Sequence, residues 1–256
     1  SMNGDPILVL EGVQKRFGEV TVLRGVDATI RRGSITAFIG PNGAGKSTLF
    51  HAVTGDTRPS AGAVVLDGHP IAGLPPWRVA RLGLGKMFQD VRLFESLTVL
   101  ENVMLAMYEP RHRSPFQALH GFASSKRLDA GLALKATDLL ERVGVEPPFN
   151  RPATLLSFGN KKLVALARLI AGDFKLLLLD EPTAGLAPGM VSRVTDILRN
   201  LAQEQGVTVA VIEHNFSFIA DIAEFTYLMR AGEIHDQGVT NEVLGRAENR
   251  EVLIGL

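Results

Sequence analysis

The sequence contains no cysteine among its 256 residues. That excludes disulfides and thiol chemistry, and it suits a reducing compartment. An excess of charge of either sign is also missing: Lys plus Arg and Asp plus Glu both total 27. No overall field therefore favours nucleic acid or an anionic membrane. Long apolar runs are lacking as well. Although 46% of the residues are hydrophobic, charged residues interrupt every stretch long enough to cross a bilayer. The N-terminus shows no charged-then-apolar leader pattern, and there is no low-complexity segment or internal repeat. The expectation is a cytoplasmic chain forming one large domain or two intimate ones.

What is present is a glycine-rich loop in a telling context. Gly40-Pro41-Asn42-Gly43-Ala44-Gly45-Lys46-Ser47-Thr48 matches G-x-x-x-x-G-K-[ST] at every position. The apolar run 34–39 before it reads as a buried strand, and Leu49-Phe50-His51-Ala52-Val53 continues as a helix. Glycines at 40, 43 and 45 let backbone N–H groups converge on phosphate oxygens, and the helix start adds its positive end. In this chemistry Lys46 bridges the β- and γ-phosphates and Ser47 binds Mg²⁺. The loop implies binding of a nucleoside triphosphate.

Upstream, Ile7–Leu10 opens as a strand. Two further short strands are expected between Thr21 and Ile30, broken at Gly25, so an antiparallel β piece precedes the loop. Phe17 stands in this piece beside Gly18, either as a core residue or as a platform on which a base stacks. Downstream come a strand at 63–68, a short helix at 77–82 and a strand over 83–89 that leads into Gln89. Helices are expected over 97–108, 128–143, 161–171 and 191–203. Residues 109–127 break the periodicity and are basic, either a solvated loop or a contact with a partner or lipid head groups.

Two later strands end in chemistry. Leu176-Leu177-Leu178-Leu179 runs into Asp180-Glu181, a buried parallel strand delivering carboxylates where α/β sheets place ligands. A second apolar strand, 207–212, ends in Glu213-His214. A hairpin at 225–234 and a terminal helix complete the reading.

The order of these pieces resembles the ATP-binding cassette of ABC transporters over nearly the whole chain. The resemblance rests on the phosphate loop, Gln89, Leu156-Ser157-Phe158-Gly159-Asn160, Asp180-Glu181 and His214. The stretch 83–103, with Phe88-Gln89 and Arg92-Leu93-Phe94, looks like the branched-chain amino acid and urea importer subgroup. The resemblance implies an α/β fold: a P-loop NTPase core with a mainly parallel sheet, an N-terminal antiparallel β subdomain and an inserted α-helical subdomain. It implies a RecA-like ATP-binding core over 1–88 and 173–256 and a helical signature subdomain over 89–172. It also implies hydrolysis of ATP with Mg²⁺. In that scheme Asp180 and Gln89 join Ser47 at the metal, Glu181 acts as general base, and His214 contacts the γ-phosphate. Asn42, Gly43, Ala44, Gly45, Lys46, Ser47 and Thr48 cradle the triphosphate and Phe17 stacks on the base, while Ser157, Gly159 and Asn160 serve a partner cassette's ATP. The implied partners are transmembrane permease subunits, a second cassette and, indirectly, a solute-binding protein, but no nucleic acid. The implied location is peripheral, at the cytoplasmic face of the inner or plasma membrane.

The pattern departs from the family's at two dimer-facing positions, Asn160 and Ala187, where Gln and Asp or Asn are usual; Phe158 replaces a usual glycine. Intact cis motifs beside altered trans positions point to a heterodimer, with a weakly hydrolysing partner cassette as an alternative. A P-loop GTPase would need Asn-Lys-x-Asp, and Asn160-Lys161-Lys162-Leu163 lacks the aspartate. A soluble DNA-repair or translation ATPase would bring a coiled-coil insertion or a second cassette, and this sequence has neither.

Overall fold

The computed structural model describes residues 4–87, 93–107 and 129–254. Gln89 and the basic stretch 109–127 lie outside the described residues. The chain divides into two units. The first comprises Ser1–Lys86, Lys175–Pro182 and Leu198–Leu256; the second comprises Met87–Phe174 and Thr183–Ile197.

In the first unit, β1 (Pro6–Phe17) and β2 (Val20–Arg31) form an antiparallel hairpin closed at Phe17↔Val20. With β4 (Ala61–Leu66) and β5 (His69–Pro70) they make a four-stranded sheet in the order β2-β1-β4-β5. The expected break at Gly25 does not occur. Val13 pairs with Val26 and Gln14 with Arg24, so Gly25, at φ 108°, is the extra residue of a bulge and β2 runs on through it.

The second sheet has six strands in the order β10-β9-β3-β8-β7-β6. They are β3 (Ile35–Ile39), β6 (Leu84–Met87), β7 (Leu176–Asp180), β8 (Thr208–Ile212), β9 (Phe225–Arg230) and β10 (Glu233–Val239). β3, β7, β8 and β9 pair in parallel, and β10 folds back antiparallel on β9. Every residue of β3, β7 and β8 is buried, which is why these strands read as continuous apolar runs. Phe38 of β3 stacks on Tyr227 of β9 at 5.1 Å and meets Phe50 edge-on at 5.8 Å. Phe50 belongs to α1 (Lys46–Thr54), which follows β3 directly. The unit also holds α2 (Pro76–Arg81) and α7 (Phe216–Ile222). The terminal segment is two helices, α8 (Thr240–Gly245) and α9 (Ala247–Ile254), not one. The chain breaks at Arg246, whose guanidinium and the Asn249 amide both bind the Asp236 carboxylate, at 2.5 and 2.6 Å.

In the second unit α3 (Val99–Met107), α4 (Asp129–Val143) and α5 (Phe158–Ala171) pack on one another. Thr98 and Glu101 form a capping box at the start of α3, with the Thr98 N–H donating to Glu101 at 2.8 Å and the Glu101 N–H to Thr98 at 3.2 Å. The fully buried Asn102 clamps the chain before α3: it accepts from the Phe94 N–H at 2.9 Å and donates to Thr98 O at 2.9 Å. α5 begins three residues before the expected position, because Ser157 is its N-cap and accepts from the Asn160 N–H at 3.3 Å. α6 (Pro188–Gln203) also starts early, with Pro188 at its first position. Its residues from Leu198 onward belong to the first unit.

Candidate functional site

β3 delivers the chain into the loop 40–45 at its C-terminal end. Gly40 has φ 146°, and a Cβ there would lie 2.2 Å from the Met229 carbonyl oxygen of β9, so only glycine lets the loop leave the sheet at this point. The left-handed Gly45 precedes α1 and offers no side-chain cap, leaving the helix's first-turn donors to a ligand. Asn42, Gly43 and Ser47 are exposed, Thr48 is half-buried, and Ala44, Gly45 and Lys46 are buried. The Ala44 carbonyl accepts from the Gly232 N–H at 3.0 Å, which fastens the loop to the β9–β10 turn.

Lys46 folds back over the loop, its Nζ donating to Gly40 O at 2.8 Å and Pro41 O at 2.9 Å. Burial lowers its pKa, and the carboxylates of Glu181 and Asp180 oppose that shift.

β7 ends in Asp180, only 5% exposed. Burial raises its pKa; a hydrogen bond from Ser47 lowers it, Glu181 raises it further, and Lys86 and His51 lower it. A buried carboxylate bonded to a hydroxyl is a pair of hard oxygen donors. That donor set fits a small divalent cation. Glu181 follows in the left-handed region at φ 50°, its N–H donating to Ile212 O of β8 at 2.9 Å. Its Oε1 lies 3.4 Å from Nε2 of His214.

His214 is placed by its chain neighbours Glu213 and Asn215, whose positioning role the sequence alone does not show. The buried Glu213 accepts from the backbone N–H groups of His214 at 3.0 Å and Asn215 at 3.3 Å, tightening the turn after β8. Asn215 caps α7 by accepting from the Phe218 N–H at 3.1 Å. A second unforeseen group flanks Asp180. Lys86 of β6 bonds Asp56 at 3.2 Å, and Asp56 also accepts from Thr54 at 2.6 Å. Burial lowers the pKa of Lys86, and Asp56 and Asp180 counter it. The visible signal for Lys86 was a charge inside the strand-like run Gly85-Lys86-Met87.

The first unit thus brings together Lys46, Ser47, Asp180, Glu181 and His214 at the C-terminal ends of β3, β7 and β8. Phe17 closes β1 and is 51% exposed, so it is no core residue. Its hairpin abuts the phosphate loop: a Cβ on Gly45 would sit 3.1 Å from Val22 O and 2.9 Å from Leu23 Cδ2.

Ser157, Gly159 and Asn160 stand in the second unit, at the start of α5. A Cβ on Gly159 would lie 2.7 Å from Met190 Sδ. Beside them the exposed ring of Phe158 covers Gly185, where a Cβ would lie 2.9 Å away. Lys162 Nζ sits 5.4 Å from that ring and donates to Ala184 O at 2.7 Å.

The family model for ABC transporters matches residues 23–184. The high-affinity branched-chain amino acid transport ATP-binding protein LivG of Salmonella typhimurium is 32% identical over 238 residues, covering 93% of each chain. The corresponding protein BraF of Pseudomonas aeruginosa is 32% identical with the same coverage. Among solved structures, a nucleotide-free ATP-binding cassette from an ABC transporter superposes with a TM-score of 0.83 at 29% identity, covering 98% of this chain and 100% of that one. A dimeric cassette in a post-hydrolysis state with ADP and Pi gives 0.78 at 26% identity, covering 91% and 98%. Sequence, fold and the placement of the phosphate loop and acidic strand end agree: this chain belongs to the ABC transporter family as an ATP-binding cassette.

Proposed function

We propose that this cassette powers an importer of branched-chain amino acids or a related small polar solute. The observation that carries the site chemistry is the convergence of Lys46, Ser47, Asp180, Glu181 and His214 at three adjacent strand ends. Lys46 exchanges its loop carbonyls for the β- and γ-phosphates, and the N–H groups of 42–48 cradle the chain of phosphates. Ser47 and Asp180, with Gln89, hold Mg²⁺, which when bound neutralises phosphate charge. Glu181 orients and deprotonates the attacking water, and His214 steadies the γ-phosphate beside it. Phe17 stacks on the base. The likeness to LivG and BraF supports the choice of solute.

Ser157, Gly159 and Asn160 serve the nucleotide of a second, different cassette, and both cassettes sit beneath permease subunits at the cytoplasmic face of the membrane. A solute-binding protein delivers cargo to the permease. Among the described residues no helix is long and apolar enough to cross a membrane.

The decisive test is Glu181→Gln. An amide keeps the shape and loses the base, so ATP binding is retained while turnover drops at least ~100-fold. Near-normal turnover would move the base elsewhere, His214 being next in line.

A further inference from the structure

Phe17 is the last residue of β1, and its ring is not left to itself. Nζ of Lys15, two residues back on the same strand, lies 4.7 Å from the ring centroid. The same ammonium donates to the Arg58 carbonyl at 2.8 Å. That carbonyl belongs to the stretch leaving α1, which is bonded to β1 twice more: Arg16 N–H to Ser60 Oγ at 3.0 Å and Ser60 N–H to Gln14 O at 2.7 Å. Lys15 is half-buried while Phe17 is 51% exposed. One face of the ring is therefore occupied by a tethered cation, while about half of the residue stays exposed to solvent. The hairpin that Phe17 closes lies against Gly45 through Val22 and Leu23, so Phe17 stands on the strand pair that flanks the phosphate loop.

We infer that Lys15 is a positioning residue for the nucleobase, acting through the ring of Phe17. The inference rests on the reading of Phe17 as the base platform. A phenyl ring at a strand end rotates freely, and a base stacking on it must first stop that motion. An ammonium held over one face by the ring's quadrupole, and anchored at its other side to a backbone carbonyl, fixes the ring before the nucleotide arrives. Because the anchor is the segment that follows α1, the base platform and the phosphate loop share one support.

The test is titration of the full chain with Mg-ATP and with inorganic tripolyphosphate, which engages the phosphate loop and has no base. Lys15→Met keeps the aliphatic stem and removes the charge; Lys15→Arg keeps the charge. The expected result is a weakening of ATP binding by about 2- to 5-fold in Lys15→Met, none in Lys15→Arg, and unchanged tripolyphosphate affinity in both. In a Phe17→Ala background, Lys15→Met changes nothing further. Equal weakening of ATP and tripolyphosphate would make Lys15 a structural tie only and overturn the inference, as would an unchanged ATP affinity in Lys15→Met while Phe17→Ala binds more weakly. Unchanged ATP affinity in Phe17→Ala itself would remove the platform, a separate failure seen in a separate variant.

Discussion

Nε2 of His214 faces Oε1 of Glu181 at 3.4 Å across the ends of β8 and β7. Neither side chain is sealed off, the histidine being 43% and the glutamate 22% exposed, so both can turn toward a γ-phosphate and its water. Groups this close act as a unit, and their losses do not add. His214→Ala is expected to lower turnover at least ~10-fold while leaving ATP binding intact. The double variant with Glu181→Gln should be hardly slower than the worse single one, as single-turnover kinetics of all three would read. Losses that multiply would mean that the two groups work independently.

Asp180 carries a cost in the ligand-free protein. Burial raises its pKa in the folded state, so the native state favours its protonated form, and the stability that this adds is lost as pH rises through the folded pKa. At pH 8 the ionised carboxylate is therefore a liability that the amide of Asp180→Asn lacks. The expected outcome is a higher Tm for Asp180→Asn without ligand at pH 8, by about 2–4 °C per kcal/mol gained in a chain of this size. The difference should shrink as pH falls, and added Mg-ATP should protect the wild type but not the variant. A lower Tm at pH 8 would show that Lys86 and His51 outweigh the burial.

Asn102 is the staple of the second unit. Removing its side chain leaves the Phe94 N–H without its acceptor and takes one of two donors from each of the Phe94 and Thr98 carbonyls, which keep the Leu97 and Asn102 backbone N–H groups. Asn102→Ala should cost about 2–4 kcal/mol in a denaturant titration. A loss below about 0.5 kcal/mol would mean that water replaces the amide without penalty.

Assembly gives a fourth prediction. With Asn160 and Ala187 departing from the usual residues while Lys46, Asp180, Glu181 and His214 are intact, a homodimer would carry each departure in both of its sites. The Glu181→Gln chain alone with Mg-ATP should remain mostly monomeric by light scattering, and the wild-type chain alone should be a slow ATPase. A stable homodimer combined with brisk ATPase of the lone chain would defeat the heterodimer proposal.

Much of the site was readable because its chemistry is local. The glycines, Lys46 and Ser47 lie within one loop, and four leucines announce that Asp180 is buried at a strand end. The remainder depends on segments that lie far apart in the chain. Lys86 meets Asp56 only because β6 is added at the far edge of the six-stranded sheet, and nothing in the run around either residue names the other. Glycine is a local breaker, so the sequence predicts a break at Gly25; whether it bends a strand or ends it is decided by the cross-strand partners Val13 and Gln14. α5 and α6 start three residues ahead of their apolar periodicity for a related reason. Ser157 as N-cap and Pro188 at the first helical position mark helix starts before any apolar periodicity does.

The ring of Phe158 lying over Gly185 constrains how these two positions can change through descent. With the phenyl ring where it is, a Cβ at position 185 would meet it at 2.9 Å and force it to shift, and the φ of 73° favours glycine besides. Exchanging Phe158 for the family's more usual glycine would lift the steric bar at 185 but uncover the bend and take the ring away from Lys162. The two positions are therefore coupled: a side chain at 185 must push the ring of Phe158 aside, and the backbone there still opposes it once the ring is gone.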